Sequence, residues 1–542
     1  MIYKAKNIIL IFIILVLVIC SCENSEDIGN YSLTFINDVV EVDPNFLILK
    51  DKSFVFLENR DSIFQLYKYK NNKIKKINIS KNSVFNPFLI KGRIVVLSDF
   101  NGDENFKVVP NLLEKYLNGK YIKKIFSFNN GYYIIYQKQD LTEISFINLI
   151  TNKKNKIFRY EKVFNGMSYS QKGNFFVFSY DDHLIYYDIR KNKSYKLTEN
   201  IEGRKISPFI YNNSLFFINN YYSEYFAIYT LDLNKINSRA KIFYKTKNDL
   251  KLPKYDGKYL YFIEIINNEY LLKRKNYKTG IIEKLTNKGV VYNYDFLDSK
   301  HLIISYSDFN TPRSINIFNI KNKYMKNISG NTINIEAEYL YFRKNKYMSA
   351  AYEFYPTLIK KIKGIILFFH PGLNSDFSPR WDTILMTLVE NGYKIYAPNY
   401  PMSFGYGKSY ALSDFKSAVM DMIKWKKYLK RTYPNKSLYL MSASSGNIIM
   451  ENVLASECKD VNASVSLFGL IGTKPNSKTL YVLGKNDPYV NYKFRINQLK
   501  EAMKNKIELK VVTYKNEGHW FRRKKNIKNA VVKILNYFEN NK

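Results

Sequence analysis

The chain has 542 residues, of which 46% are hydrophobic and 24% are charged, as in folded globular proteins and unlike disordered ones. This length exceeds what one hydrophobic core usually supports, so two domains are expected. Three cysteines exclude a disulfide framework and a thiolate zinc site, and four histidines argue against a multi-histidine metal centre. No metal centre is therefore expected, and Cys458 is expected to be a buried small residue.

The chain is strongly basic, because 84 Lys and Arg stand against 47 Asp and Glu, for a formal net charge of +37. This excess could indicate a nucleic acid or an anionic membrane as partner. The lysines, however, are spread along the whole chain, often beside asparagine as in 70–73, and only short basic runs such as 522–525 occur. No nucleic-acid motif accompanies them, so the charge is interpreted as solvated surface, with no nucleic-acid partner.

The amino-terminal sequence has the pattern of a targeting segment. Lys4 and Lys6 precede an apolar run from Ile8 to Ile19, which is too short for a confident membrane span and fits the core of a signal peptide. The following Ser21-Cys22 resembles a bacterial lipobox, in which the cysteine receives lipid. Residues 1–21 are thus predicted as a lipoprotein signal peptide and 22–30 as a linker, with an uncleaved membrane anchor as the alternative. Either way the protein is expected to be exported, and lipid on Cys22 would hold it on a membrane of the cell envelope.

A repeat follows the linker. A polar or glycine turn followed by an aromatic-rich strand recurs seven times, at intervals of 39 to 44 residues; the turns begin at residues 51, 91, 130, 172, 212, 256 and 298. A second feature, an Asn or Asp between apolar residues before a polar turn, predicts a hairpin in later units and is missing from the unit at 91–129; it occurs at Asn148, Asp188, Asp232 and Asn319, with a weaker copy at Asn276. The period predicts a seven-bladed β-propeller over residues 31–333, with a β-sandwich or a solenoid as the alternative.

After residue 335 strands alternate with helices, which predicts an α/β domain with a mostly parallel sheet over residues 334–542. A strand at 364–370, a helix at 378–391, a strand at 393–397 and a long amphipathic helix at 413–433 precede a strand at 436–441. The last strand runs into Ser442-Ala-Ser444-Ser-Gly446, in the strand–turn–helix setting of a nucleophile elbow.

Two later strands end in the partners that a serine nucleophile needs. Asp487 follows the strand at 478–484, and His519 follows the strand at 509–514. The order Ser, Asp, His is that of the α/β-hydrolases. A serine hydroxyl attacks only when a base takes its proton, which a histidine oriented by a carboxylate does. Ser444, Asp487 and His519 are therefore the predicted catalytic residues.

An acyl transfer also needs donors for the oxyanion. The amide of Ser445 at the start of a helix is one candidate. The loop after the first strand of this domain supplies another, and since Pro371 has no N–H, the amide of Gly372 is predicted. His370 is expected to hold this loop rather than to take part in catalysis.

The carboxy-terminal 200 or so residues resemble the catalytic domain of the prolyl oligopeptidase family of serine peptidases, closest to its acylaminoacyl-peptidase and dipeptidyl-peptidase branches. Four segments carry the likeness: His370-Pro-Gly372, Asn399 to Gly407, Ser442 to Gly446, and Gly484 to Val490 taken with Glu517 to Phe521. A propeller before the hydrolase is also the family's architecture. Departures are Pro371 and Pro401 in place of a usual glycine and arginine, and a short segment of 43 residues from Ser444 to Asp487.

The resemblance implies a serine peptidase that hydrolyses short peptides through an acyl-enzyme and needs no metal or organic cofactor, and the amino-terminal segment adds export and a lipid anchor. An esterase on the same triad is the first alternative. The second is a non-catalytic lipoprotein whose propeller binds a ligand. The sequence leaves open the oligomeric state, the membrane leaflet, the peptide preference and exo- or endopeptidase action.

Overall fold

A computed structural model describes the chain from residue 31 to residue 542. The described part omits residues 34–35, 37–38, 61–62, 91–92, 100–106, 110–120, 129–130, 139–140, 149, 152, 161–163, 171–174, 181–182, 199–200, 221–222, 236–238, 332–336, 343–347, 357–360, 373–374, 471, 473–476 and 505–506. The predicted signal peptide, the linker and Cys22 lie outside the described residues. Within the described part of the chain, no helix combines the length and the apolar character needed to cross a bilayer.

Small antiparallel sheets follow one another from residue 42 to residue 329, and each joins strands that are consecutive in the chain. The first four comprise β1–β4 (Val42–Ile48, Phe54–Glu58, Gln65–Lys70, Lys73–Ile77), β5–β7 (Ser83–Ile90, Arg93–Asp99, Lys107–Val109), β8–β11 (Tyr121–Phe128, Gly131–Lys138, Leu141–Asn148, Lys153–Tyr160) and β12–β15 (Phe164–Ser170, Phe175–Tyr180, His183–Asp188, Lys193–Leu197). The next three comprise β16–β19 (Ile206–Tyr211, Ser214–Asn219, Ala227–Asp232, Lys241–Tyr244), β20–β23 (Asp249–Tyr255, Tyr259–Ile266, Glu269–Asn276, Ile282–Lys284) and β24–β27 (Val290–Phe296, His301–Asp308, Thr311–Asn319, Met325–Ser329). The last two join through one parallel pair, Tyr270 with Val290.

The second strand of these sheets is apolar along its length rather than alternating. In β2, Phe54 to Leu57 are all fully buried, while the edge strand β4 is largely exposed. A strand buried on both faces needs such a run, because a neighbouring sheet covers each face. Phe54 and Phe56 of the first sheet pack with Ile303 and Ile315 of the last, so the first and last sheets are neighbours.

The predicted hairpins of the second repeated feature are present. Asp188 shows the cause: its carboxylate accepts the amides of Arg190 and Lys191 at 2.9 and 3.1 Å, which closes the turn between the third and fourth strands. The same side-chain-to-backbone bonds occur at Asn148, Asp232, Asn276 and Asn319. In the described residues of the unit at 91–129 that lacks this feature, β7 is the final strand of a three-stranded sheet.

An eight-stranded sheet forms the rest of the chain, in the order β28-β29-β31-β30-β32-β33-β34-β35. Its strands are β28 (Ala337–Phe342), β29 (Ala351–Pro356), β30 (Gly364–Phe369), β31 (Tyr393–Pro398), β32 (Ser437–Ala443), β33 (Ala463–Leu467), β34 (Thr479–Gly484) and β35 (Leu509–Tyr514). The first two are antiparallel to their neighbours and the others run parallel. The predicted α/β domain with a mostly parallel sheet is thus present.

Helices cover both faces of this sheet. They are α1 (Thr383–Glu390), α2 (Lys408–Ala411), α3 (Phe415–Thr432), α4 (Gly446–Ser456), α5 (Tyr492–Lys504) and α6 (Lys524–Glu539). Apolar residues of α1 and α6 pack on one face, and those of α3 and α4 on the other. Asp382 and Asp414 accept backbone amides at the starts of α1 and α3, so both helices begin later than the sequence pattern predicts.

Described residues of the segment at 31–40 pack against a part of the chain that is distant in sequence. The segment precedes the repeats, yet Leu33, Ile36 and Val39 belong to the same apolar cluster as α1 and α6. The hydroxyl of Tyr31 donates to the side chain of Asn536 at 2.7 Å. The predicted boundary at residue 31 groups this segment with the repeats; Leu33, Ile36 and Val39 pack with the α/β part, and the Val40 amide donates to Asn331 beside the last small sheet.

Candidate active site

Ser444 lies in the turn between β32 and α4. Its φ is +50°, a left-handed conformation that few residues other than glycine adopt. The turn is held because the Ser444 amide donates to the carbonyl of Leu467 on β33 at 3.0 Å. A Cβ on Gly446 would lie 2.3 Å from the carbonyl oxygen of Phe369, so the glycine lets α4 pass close to β30. Strand, strained turn and helix together form the predicted elbow.

The three side chains predicted from distant segments lie within hydrogen-bonding distance of each other. The Oγ of Ser444 lies 2.7 Å from Nε2 of His519, and Nδ1 of His519 lies 2.8 Å from Oδ2 of Asp487. The side chains of His519 and Asp487 are 5% and 2% exposed. The other carboxylate oxygen of Asp487 accepts the amides of Tyr489 and Val490, which fixes its orientation.

The loops bearing Asp487 and His519 approach each other closely at Gly484. A Cβ at this position would come within 2.2 Å of the carbonyl oxygen of Gly518 and 2.5 Å of that of Glu517. Aromatic rings enclose the imidazole: Phe468, Tyr489 and Trp520 lie between 5.1 and 5.4 Å from it, centroid to centroid. Tyr489 and Trp520 are 65% and 45% exposed, so these two rings lie at the surface while the imidazole between them is buried.

The two amides predicted as oxyanion donors are neighbours in space. The Gly372 amide donates to the hydroxyl oxygen of Ser445 at 2.7 Å. The Ser445 amide, at the start of α4, donates to none of the described protein groups. The contact between Ser445 and Gly372 was not foreseen, since nothing in the sequence indicates which group the loop at residue 372 meets.

His370 holds the loop that carries Gly372. It is fully buried, its Nε2 lies 2.8 Å from Oγ of Ser403, and its ring stacks on Tyr400 with centroids 4.3 Å apart. Burial lowers the pKa of His370 from 6.5 to about 4, with the Pro371 carbonyl opposing that shift. The imidazole is therefore neutral near pH 7 and has no contact with Ser444.

This buried histidine should make the fold sensitive to acid. Its pKa is lower in the folded chain, so its contribution to stability is complete above about pH 6.5 and is lost as pH falls toward about 4. The difference corresponds to ~3 kcal/mol at full protonation. Urea unfolding at about pH 7 and about pH 4.5 should show a larger loss for the wild type than for His370→Gln. Equal losses in the two proteins would contradict this assignment.

The remaining sequence expectations concern metals and cysteines. Among the described residues, no group of three or more His, Cys, Asp or Glu side chains is placed to hold a metal ion. Cys458, expected to be a buried small residue, is exposed, because it follows α4 in a turn at the surface.

A group of charged residues that the sequence did not single out faces the loop after Gly372. Arg204 lies just before β16 and Lys251 in β20, whereas Asp376 and Arg380 belong to the α/β part, and all four line one cavity. Among 84 Lys and Arg residues no local pattern marks these cations, since only the tertiary fold brings them together.

Comparison with known proteins gives a match by structure and none by sequence. No protein-family model matches the chain, and no curated protein matches it. A puromycin-hydrolysing peptidase of Mycobacterium tuberculosis is similar in structure, with a TM-score of 0.76, 12% identity, and 94% of this chain and 95% of that one covered. The acylaminoacyl peptidase of Pyrococcus horikoshii gives a TM-score of 0.68, 14% identity and coverage of 94% and 96%.

Oligopeptidase B of Trypanosoma brucei, solved with covalently bound antipain, gives a TM-score of 0.74 at 10% identity, with 92% of this chain and 87% of that one covered. These structural neighbours are peptidases of the prolyl oligopeptidase family. The resemblance expected from sequence is thereby confirmed at the level of the fold, over nearly the whole described chain.

Proposed function

We propose that this protein is a serine peptidase of the prolyl oligopeptidase family that hydrolyses short peptides through an acyl-enzyme on Ser444. One observation carries the proposal: Ser444, His519 and Asp487 form a hydrogen-bonded chain, with distances of 2.7 and 2.8 Å, at the carboxyl edge of a parallel sheet. These three roles are needed for a serine to act as nucleophile near neutral pH.

In the proposed reaction, Nε2 of His519 takes the hydroxyl proton while Oγ of Ser444 forms a bond to the scissile carbonyl carbon. The imidazolium is stabilised by Asp487, and it then gives the proton to the leaving amine as the C–N bond breaks. Water attacks the resulting ester with His519 again as base. The products are a free carboxylic acid and the regenerated serine.

The oxyanion formed in each step would be bound by the amides of Ser445 and Gly372. In the free protein the Gly372 amide donates to the Ser445 hydroxyl oxygen, so substrate would replace that oxygen as the acceptor. The positive end of the α4 dipole also favours negative charge at this position.

We further propose that the seven small sheets are the blades of a β-propeller at residues 31–333, standing over an α/β-hydrolase domain at residues 334–542. The packing of the first sheet on the last supports a closed ring. Contacts between the two parts, such as Asn268 with Asn399 at 3.2 Å and Tyr352 with the carbonyl of Asn267 at 2.7 Å, support a covered site. A covered site admits short or unfolded peptides rather than folded proteins.

A fluorophosphonate probe tests the proposal directly. The purified wild type should be labelled, and Ser444→Ala should not be, because the probe phosphonylates only an activated serine hydroxyl. Ser442→Ala is the matched control: it removes a buried hydroxyl from the end of β32, two residues before Ser444, and should leave the labelling in place. A folded wild type that stays unlabelled would favour the alternative of a non-catalytic binding lipoprotein.

The same protein preparation separates a peptidase from an esterase. A peptidase turns over short peptide amides as well as esters of the same acyl group. Turnover of the esters alone would favour the esterase alternative.

We also propose export and anchoring through lipid on Cys22, on the basis of the amino-terminal sequence. Radiolabelled palmitate should enter the wild type in cells and should not enter Cys22→Ala, because the acyl chains are expected on that cysteine. The membrane fraction should lose the variant in parallel. Equal labelling of both proteins would exclude Cys22 as the lipidated residue.

A further inference from the structure

A cavity of about 430 Å³ lies between the small sheets and the α/β part, a volume in the range of small-ligand sites. Most of its wall is aromatic or aliphatic, and Arg204, Lys251, Asp376 and Arg380 are its charged residues. Both halves of the chain contribute to it, so the cavity exists only in the assembled protein.

This cavity is next to the proposed oxyanion loop. Ser375 lines it, and a Cβ built on Gly372 would lie 2.5 Å from the Cβ of Ser375. Gly372 in turn contacts Ser445, the residue after the proposed nucleophile. A molecule bound in the cavity is therefore close to the bond that Ser444 would attack.

The balance of charge in the cavity is positive. Its lining holds three cations and a single carboxylate, that of Asp376. That carboxylate is already bound on both oxygens, to the Tyr270 hydroxyl at 2.6 Å and to the side-chain amide of Asn268 at 3.1 Å. The Asp376 carboxylate thus joins the two halves of the chain through these hydrogen bonds, and it forms no ion pair with Lys251 or Arg380.

Lys251 is a cation of this cavity that no carboxylate of the described residues pairs with directly. Its ammonium lies 3.4 Å from the Tyr270 hydroxyl and over the rings of Phe404 and Tyr270, at 4.3 and 4.7 Å from their centroids. It forms no ion pair with any described residue, and burial lowers the pKa of Lys251 below its usual 10.5 although Asp376 and Asp249 oppose this shift. The nearby Asp249 carboxylate accepts the Phe226 amide instead.

Arg380, from the α/β part, provides a second cation in the lining of the cavity. Within the described part of the chain its guanidinium makes no ion pair and no hydrogen bond, and it is partly exposed to the cavity. An ammonium group removed from water is costly unless an anion binds it. Lysines on the outer surface of this basic chain are solvated and do not have this cost.

We infer that the cavity binds a carboxylate of the substrate, so that the peptidase proposed above acts preferentially on short peptides carrying a free carboxylate near the scissile bond. This inference rests on the proposed function for the identity of the ligand as a peptide. Arg380 and Lys251 face the carboxylate from the two halves of the chain, and the aromatic wall receives the neighbouring side chain. The carboxylate belongs either to the carboxyl terminus or to an acidic side chain.

Binding to the full-length Ser444→Ala protein tests the inference without turnover. Three acetylated peptides are compared by titration calorimetry: trialanine as the free acid, trialanine as the carboxyl-terminal amide, and Ala-Asp-Ala as the amide. A carboxylate site should bind at least one acidic peptide about tenfold more tightly than the neutral amide. Tight binding of the free acid assigns the site to the carboxyl terminus, and tight binding of Ala-Asp-Ala amide assigns it to a side chain.

Substitutions in the cavity show which residues cause the preference for acidic peptides. Lys251→Met and, independently, Arg380→Gln should each reduce it, whereas Lys247→Met, which removes the same charge from an exposed position, should retain it. The thermal midpoint of each variant shows that it is folded. Equal affinity for all three peptides, the absence of binding by any of them, or a preference unchanged in both cavity variants would overturn the inference.

Fluorophosphonate labelling of the wild type tests the proposed function independently of the carboxylate site. If the probe labels the protein but the acidic peptides are not preferred, only the proposed carboxylate site is excluded. A preference for the acidic peptides in a protein that the probe does not label would exclude the proposed hydrolase function and would indicate a carboxylate-binding protein.

Discussion

Replacing His519 by glutamine is expected to lower kcat/KM for a peptide substrate by about 10⁶-fold, and adding Ser444→Ala should lower it little further. His519 is the group that touches the Ser444 hydroxyl, so without it the proton has no acceptor. In the proposed mechanism the two side chains act as one unit, so that removal of either would leave only the oxyanion donors and substrate binding. Steady-state kinetics of the single and double variants measure this.

Asp487→Asn serves as a graded control. It keeps the size of the side chain but stabilises the wrong tautomer of His519, and a loss of about 10⁴-fold is expected. Multiplicative losses in the His519 and Ser444 double variant would show that the two residues act separately, and the proposed mechanism would then fail.

Breaking the buried ion pair between Glu451 and Arg495 should destabilise the α/β part by about 3–5 kcal/mol. The pair links α4 to α5 at 2.5 Å, and both side chains are at most 2% exposed. Arg495→Met would leave the Glu451 carboxylate buried with the Tyr481 hydroxyl, at 3.0 Å, as its remaining donor. Urea unfolding followed by tryptophan fluorescence reports on this part, since Trp381, Trp425 and Trp520 all lie in it.

The double variant Glu451→Met with Arg495→Met is the matched control. It removes both charges and keeps the volume apolar, so it should recover most of the stability lost in the single variant. A double variant less stable than Arg495→Met would show that the pair itself, rather than the orphaned charge, is what matters at this site.

Local patterns in the sequence anticipated the parts of the fold that depend on neighbours in the chain. The turn asparagines and aspartates, such as Asp188, act on amides two and three residues away, so their role is visible in the sequence. The elbow at Ser444 was visible for the same reason, because the strand, small residues and helix are contiguous. The order of Ser444, Asp487 and His519 then sufficed to group three distant residues, since the carboxyl ends of parallel strands meet at one edge.

Features that depend on contacts between distant segments could not be predicted from the sequence. Lys251 and Arg380 are separated by more than a hundred residues and resemble every other cation of this basic chain. The bond between the Gly372 amide and the Ser445 hydroxyl depends on how two loops meet. The exposure of Cys458 also departs from expectation, because residue type alone favours burial for cysteine whereas the turn after α4 places it outside.

The packing of residues 31–40 on the α/β part has a consequence for how the protein is made. During synthesis this segment leaves the ribosome long before α6, which is one of the surfaces it covers. The intervening sheets can form while Leu33 and Val39 still lack their partners. The packing of residues 31–40 against α6 is thus a late event of biogenesis, and a nascent polypeptide stalled between residues 444 and 519 has the serine but no base.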